Sequence, residues 1–245
     1  MAGPIEQFEI HPVVPIEIGG LDLSFTNSAL WMVIATGVAS LFLTVGARRR
    51  ALVPGRMQLM AEMAYEFIAN MIRDNVGDAG RRYFPYIFTL FMFILFGNLL
   101  GLIPGSFTYT SHIIVTGALA VAVIISVTII GLAKHGLHFL SLFVPSGVPA
   151  LMMPLMIPIE IISYLSRPVS LSIRLFANMM AGHTMIKVFA GFVVPLGAIT
   201  LGLGGLAPIA MNVALTGFEL LVAFLQAYVF TVLTCLYLND ALNLH

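Results

Sequence analysis

Charge is what this sequence has least of. Only 9% of its 245 residues are Asp, Glu, Lys or Arg, where a soluble domain carries roughly a quarter. That shortfall, beside 60% apolar residues, excludes an ordinary water-soluble fold. Cysteine is nearly absent too. Cys235 stands alone, so no intramolecular disulfide and no multi-cysteine metal site can form. Neither a basic patch with interleaved aromatics nor a Walker loop, HExxH helix or GxSxG elbow occurs. Nucleic acid is therefore not an expected partner, no cofactor is expected, and soluble-type catalysis has no visible home. Acids but no Lys or Arg precede Arg48 (Glu6, Glu9, Glu17, Asp22), so the start of the chain lacks the basic region of a secretory signal.

What the sequence does have is long apolar runs, several of them past the roughly 18 residues that mark a bilayer span. The expected fold class is an all-α membrane protein, a single membrane domain over 1–245, with five spans and one interfacial helix. Span one runs 28–47 and ends at Arg48-Arg49-Arg50. The positive-inside rule keeps that triplet cytoplasmic, which places the N-terminus outside and, after five spans, the C-terminus inside. Residues 55–77 differ: Met57, Met60, Ala64, Phe67 and Met71 recur at helical spacing, with Gln58, Glu62, Glu66 and Arg73 off the stripe. This is the pattern of an amphipathic helix lying on the inner surface. Spans at 84–104 and 113–133 follow. Four prolines in 139–158 (145, 149, 154 and 158) predict a broken, re-entrant segment. Two long apolar blocks, 159–190 and 207–238, close the chain. As helices they reach about 45–50 Å against a hydrocarbon core near 30 Å, so a tilted hairpin is expected.

Both arms of that hairpin carry polar residues at lipid depth. On the first, Glu160, Ser163, Arg167, Ser170, Arg174 and Asn178 fall within an arc of about 80°, while His183 and Lys187 point to the other side. Ala181 and Gly182 extend the striped side with small residues. Pro168 is expected to kink this arm without ending it, because Ser residues and neighbouring helices re-satisfy freed groups. On the second, Asn212, Thr216, Glu219, Ala223 and Gln226 share a narrow stripe. Such stripes are costly unless they face each other, another protein or water. If the arms run antiparallel about a turn near residue 200, Arg174 falls opposite Gln226 and His183 opposite Glu219. Arg174 keeps its proton in essentially any protein environment. A permanent cation flanked by titratable groups, Glu160 on one side and His183 with Glu219 on the other, is both a barrier to protons and an attractor for a carboxylate.

"SRPVSLSIRLFANMMAGH" (166–183) and "FELLVAFLQAYVFTVLTCLYL" (218–238) resemble the a-subunit family of the F-type ATP synthase membrane sector, and "FGNLLGLIPG" (96–105) is similar to that family's second span. The likeness implies a non-catalytic stator subunit of a rotary ATP synthase, coupling proton flow to rotation. It implies that Arg174 matches the family's essential arginine facing the c-subunit ring and separating two offset half-channels. Asn178, His183, Glu219 and Gln226 fall to the outer half-channel, and Glu160, Ser163 and Ser170 to the inner one. Implied partners are the c ring, the peripheral-stalk b subunits, the remainder of the complex and membrane lipid. The implied location is a bacterial inner membrane, with H⁺ as the family's usual ion. Many bacterial relatives carry Glu where this chain has His183 and His where it has Glu219; here the two are exchanged, as in mitochondrial relatives.

Blander readings stand beside these. Arg174 is also readable as a structural cation tied to carbonyls, His183 with Glu219 as a packing pair, and Glu160 as a headgroup contact. Arg167 either snorkels or braces Glu160, or lines the proton path. His135 and His138 form an HxxH read as interfacial, since no carboxylate or thiol accompanies them. Asn98 is read as bonding across helices, and Lys187 as snorkelling. A self-contained proton-coupled transporter is the alternative function, although the halves show no corresponding polar positions. An intramembrane hydrolase lacks a nucleophile–base pair at motif spacing.

Overall fold

The computed structural model describes residues 8–15, 17–18, 21–22, 24–48, 54–103, 105–144, 152–200 and 203–243. Residues 1–7, Arg49 and Arg50 of the basic triplet, Pro104, and Pro145 and Pro149 of the Pro-rich segment lie outside the described residues. Six helices dominate: α1 (Asn27–Ala47), α2 (Arg56–Asn75), α3 (Phe84–Gly101), α4 (Ile113–His135), α5 (Met153–Ile199) and α6 (Leu206–Leu242). All but α2 belong to the five helices long and apolar enough to cross a membrane.

The last two helices are longer than their apolar blocks suggest. α5 has 47 residues and α6 has 37, about 70 and 55 Å at 1.5 Å per residue. Pro154 and Pro158, assigned from the sequence to the re-entrant segment 139–158, instead sit in the first turns of α5. Pro154, the second residue of α5, sacrifices an N–H that has no intrahelical partner anyway, and Pro158, the sixth, lies within the helix without ending it. Pro168 does not end the helix either. The other end of the Pro-rich segment, Gly136–Phe143, forms 3₁₀ turns.

Contacts divide the chain into two compact units. One comprises residues 1–44, 92–112 and 175–227, and the other 45–91, 113–174 and 228–245. Helices α1, α3, α5 and α6 each give one end to each unit.

In the first unit, two short antiparallel ribbons that the sequence reading did not place precede α1. Strand β1 (Pro12–Val14) pairs with β4 (Phe25–Thr26), and β2 (Glu17–Ile18) with β3 (Leu21–Asp22). The ribbon is tied to the start of α1 through Asn27. Its Oδ1 accepts from the backbone N–H of His11 at 3.2 Å and of Ser28 at 2.9 Å, and its Nδ2 donates to the Glu9 carbonyl at 3.0 Å. Thr26 adds an N-cap, its Oγ1 accepting from the Ala29 N–H at 3.4 Å, so orphan donors of the first turn are used. In the same unit α5 and α6 run antiparallel: His183 meets Glu219, while Asn212, earlier on α6, reaches Ile186 and Ala190, later on α5.

In the second unit α2 buries Ile68, Met71 and Ile72 and leaves Met57, Met60 and Met63 exposed. Phe67 packs on Phe91 and Tyr228 with ring centroids 5.8 and 5.7 Å apart. Helix α2 stops at Gly77, whose φ of 78° is a conformation residues with a Cβ seldom adopt. The C-terminal end of α6 is held by donors: Lys134 Nζ lies 2.9 Å and His135 Nε2 3.0 Å from the Leu242 carbonyl oxygen. Donors there suit the negative end of a helix dipole.

Candidate functional site

The first unit carries a polar cluster in apolar surroundings. Glu219, on α6, is 3% exposed at its side chain, and its Oε1 lies 3.4 Å from His183 Nδ1 of α5. Among the described residues neither carboxylate oxygen accepts a hydrogen bond. A carboxylate so placed is costly to ionise unless a cation or water reaches it. Gly182 makes its position possible. A Cβ at Gly182 would stand 2.6 Å from Glu219 Oε1 and 2.9 Å from its Cδ, so any larger residue drives the carboxyl away.

On its other side Glu219 faces a cavity of about 400 Å³ shared with Asn178, Gly182, Met185, Phe218 and Gln226. Three of the four residues assigned from the sequence to an outer proton path thus line one cavity, and the fourth, His183, touches its buried acid. The pairing of His183 with Glu219 across an antiparallel hairpin is met directly. The rest of the α6 stripe serves otherwise. The Asn212 amide, oriented to match its neighbours, donates to the Ile186 carbonyl and accepts from the Ala190 N–H, both at 3.1 Å. Thr216 donates to the Asn212 carbonyl at 2.8 Å.

His183 is held from a direction the sequence reading did not consider. Its Nε2 lies 3.0 Å from Thr108 Oγ1, and the edge of its ring meets Phe8, with centroids 6.5 Å apart at 62°. Thr108 belongs to "SFTYTS" (106–111), in which five of six residues carry a hydroxyl, and each hydroxyl finds a partner. Ser106 and Thr108 donate to the Gly101 carbonyl at 3.0 and 3.3 Å. Tyr109 donates to the Phe93 carbonyl at 2.8 Å, Thr110 to Asn98 Oδ1 at 2.8 Å, and Ser111 to the Thr108 carbonyl at 2.6 Å. Asn98 in turn donates from Nδ2 to the Ala223 carbonyl of α6 at 3.2 Å, the cross-helix role read from its position. Burial pushes the Tyr109 phenol above its ordinary pKa range and holds His112 below its own. Both loop groups are therefore neutral near pH 7. The density of hydroxyls was visible in the sequence; their separate acceptors, three of them on α3, were not.

The second unit holds the remaining assigned residues. Arg174, Ser163 and Ser170 are exposed and Glu160 is half-buried, all on α5. Among the described residues Arg174 and Glu160 make no hydrogen bond or ion pair. Arg167 corrects one expectation: it does not brace Glu160. Its Nη1 donates to Asp240 Oδ2 at 3.0 Å, and its guanidinium lies 5.4 Å from the Tyr164 ring centroid and 5.0 Å from that of Tyr237. Glu160 sits two turns away, about 10.5 Å along the helix, whereas α6 brings Asp240 alongside. Of the HxxH pair, His135 is spent on the end of α6.

Comparison with known proteins follows this geometry. Residues 29–239 match the family model described as ATP synthase A chain. The chain is 58% identical over 245 residues to "ATP synthase subunit a" of Rhodospirillum rubrum, covering 100% of both chains. It is 61% identical over 242 residues to the protein of that name from Chelativorans sp. (strain BNC1), covering 98% of this chain and 97% of the relative. It is 62% identical over 242 residues to the one from Mesorhizobium japonicum, covering 98% and 96%.

Proposed function

This chain belongs to the ATP synthase A chain family, and we propose that it carries protons to and from the carboxylates of a rotating c-subunit ring. The observation that carries this reading is the buried, unbonded Glu219 carboxyl, set between His183 and a cavity lined by Asn178 and Gln226. A proton entering from outside the cell is relayed there and neutralises a ring carboxylate. The neutral acid then turns through lipid, which a charged one enters only at a cost of several kcal/mol. After nearly a full turn it releases its proton to the inner path along Glu160, Ser163 and Ser170, and the carboxylate is drawn to Arg174.

Arg174 suits this part because it stays charged and because, exposed, it makes no hydrogen bond or ion pair among the described residues. Its work is electrostatic: it holds the returning carboxylate ionised and bars protons from passing directly between the two paths. Each proton crossing 100 mV supplies about 2.3 kcal/mol to the rotation. The subunit is not itself an enzyme; the ring and the b subunits complete the machine, and its orientation has the N-terminus outside and the C-terminus in the cytoplasm.

The test is Arg174→Ala in the whole complex reconstituted in proteoliposomes. Proton-driven ATP synthesis falls to background while the complex purifies with its full subunit set. Synthesis at the wild-type rate by the variant overturns the reading.

A further inference from the structure

We propose that Thr108 is a positioning residue for proton transfer, acting through His183. The inference rests on the reading that His183 and Glu219 carry the outer proton, and adds what sets their geometry. A threonine hydroxyl has one hydrogen to give. Thr108 is 5% exposed, and its Oγ1 lies 3.3 Å from the Gly101 carbonyl oxygen, which can only accept. The same oxygen lies 3.0 Å from His183 Nε2. With its hydrogen committed to Gly101, Thr108 meets the ring as an acceptor, so Nε2 carries the N–H.

That assignment decides the chemistry at the other nitrogen. In the neutral ring Nδ1 is left with its lone pair, and Nδ1 is the atom 3.4 Å from Glu219 Oε1. The pair therefore holds one proton between them. It sits on Glu219 as a carboxylic acid beside a neutral ring, or on Nδ1 as an imidazolium beside a carboxylate. Uptake and release occur at the Nδ1–Oε1 edge, with no tautomer change and no ring rotation. Fixing one ring nitrogen through the hydrogen bond of the other is the general way proteins choose which imidazole nitrogen acts.

The hydroxyl is not free to wander from this position. A Cβ at Gly101 would stand 2.5 Å from Thr108 Oγ1 and 2.7 Å from its Cγ2, so Gly101 lets the threonine reach the end of α3. Ser111 holds the Thr108 carbonyl at 2.6 Å. A Cβ on Gly97 would collide with the Tyr109 ring, and Phe8 covers the imidazole edge. The loop is thus anchored on both sides of Thr108, and one hydroxyl passes that order to the ring.

The experiment measures passive proton conductance of the membrane sector, freed of its catalytic head, in proteoliposomes normalised to assembled complex. Thr108→Val keeps the shape and removes the hydroxyl; its conductance falls by about tenfold, the weight of one hydrogen bond to a polar or charged group. Thr108→Ser conducts as wild type. In a His183→Ala background, itself impaired, Thr108→Val costs nothing further, because a residue acting through His183 has nothing left to position. Equal conductance of Thr108→Val and wild type, or a further tenfold loss in the His183→Ala background, overturns the proposal. If the valine variant does not assemble, a serine variant that assembles but conducts poorly overturns it instead. Unimpaired conductance by His183→Ala overturns the underlying reading, and is told apart by that single variant.

Discussion

Arg167 and Arg174 lie two turns apart on one helix, and the protein treats them in opposite ways. Arg167 is paired with Asp240 at 3.0 Å and packed against Tyr164 and Tyr237. Arg174 is exposed and bound to nothing among the described residues. A charge that serves the fold is satisfied inside the chain: its desolvation is offset by an acid and two aromatic faces. A charge left open in an apolar setting has its partner elsewhere. The same contrast separates acids. Asp240 is tied to Arg167, whereas Glu219 is buried with no hydrogen bond among the described residues and borders a cavity.

The contrast breaks first at Glu219. Glu219→Gln abolishes proton-driven synthesis and His183→Ala lowers it severalfold, while the exchange His183→Glu with Glu219→His retains more coupling than either half of it alone. Synthesis rates of the five variants in vesicles check this, and strictly additive losses in the exchange and its two halves would show that the two groups do not act as a pair. Next comes Gly182. Gly182→Val places atoms where the Glu219 carboxyl sits, and synthesis drops by about tenfold or more while assembly survives, since misplacing a reacting group by about 1 Å costs up to 10²-fold. The smallest effect is expected at the satisfied arginine. Arg167→Ala lowers the stability of the isolated subunit by about 1–2 kcal/mol, and Asp240→Asn adds little to it, as thermal unfolding in detergent would report; coupling between ring and head persists in whatever assembles.

Much of this was readable from residues alone. Hydropathy placed the five apolar helices, because a bilayer span leaves a composition signal that needs no tertiary knowledge. The helical period put Glu160, Ser163, Ser170 and Arg174 on one face, and an antiparallel turn brought His183 to Glu219. Proline was the main source of error in the fold. Pro154 and Pro158 suggested a broken segment and instead lie in the opening turns of α5; the missing N–H of Pro154 is harmless there, and the helix continues through Pro158. The N-terminal ribbons escaped because strands of two or three residues carry no period to detect. Within the site, the partners that escaped were those recruited from a distance. Nothing near Arg167 in sequence announces Asp240, and nothing near His183 announces Thr108 or Phe8; these meet only once helices pack. Gly182 was noticed as small, but the carboxyl it makes room for was not identified.

The central claim is that Arg174 is a barrier between two proton-accessible paths, left without a hydrogen bond or ion pair among the described residues so that a passing carboxylate can use it. Its most direct test is proton leak in proteoliposomes bearing the Arg174→Ala membrane sector under an imposed membrane potential, with ring rotation blocked by covalent modification of the ring carboxylates. A barrier removed lets protons pass without rotation, so the variant leaks well above the blocked wild-type sector. A variant as tight as the blocked wild type would contradict the account.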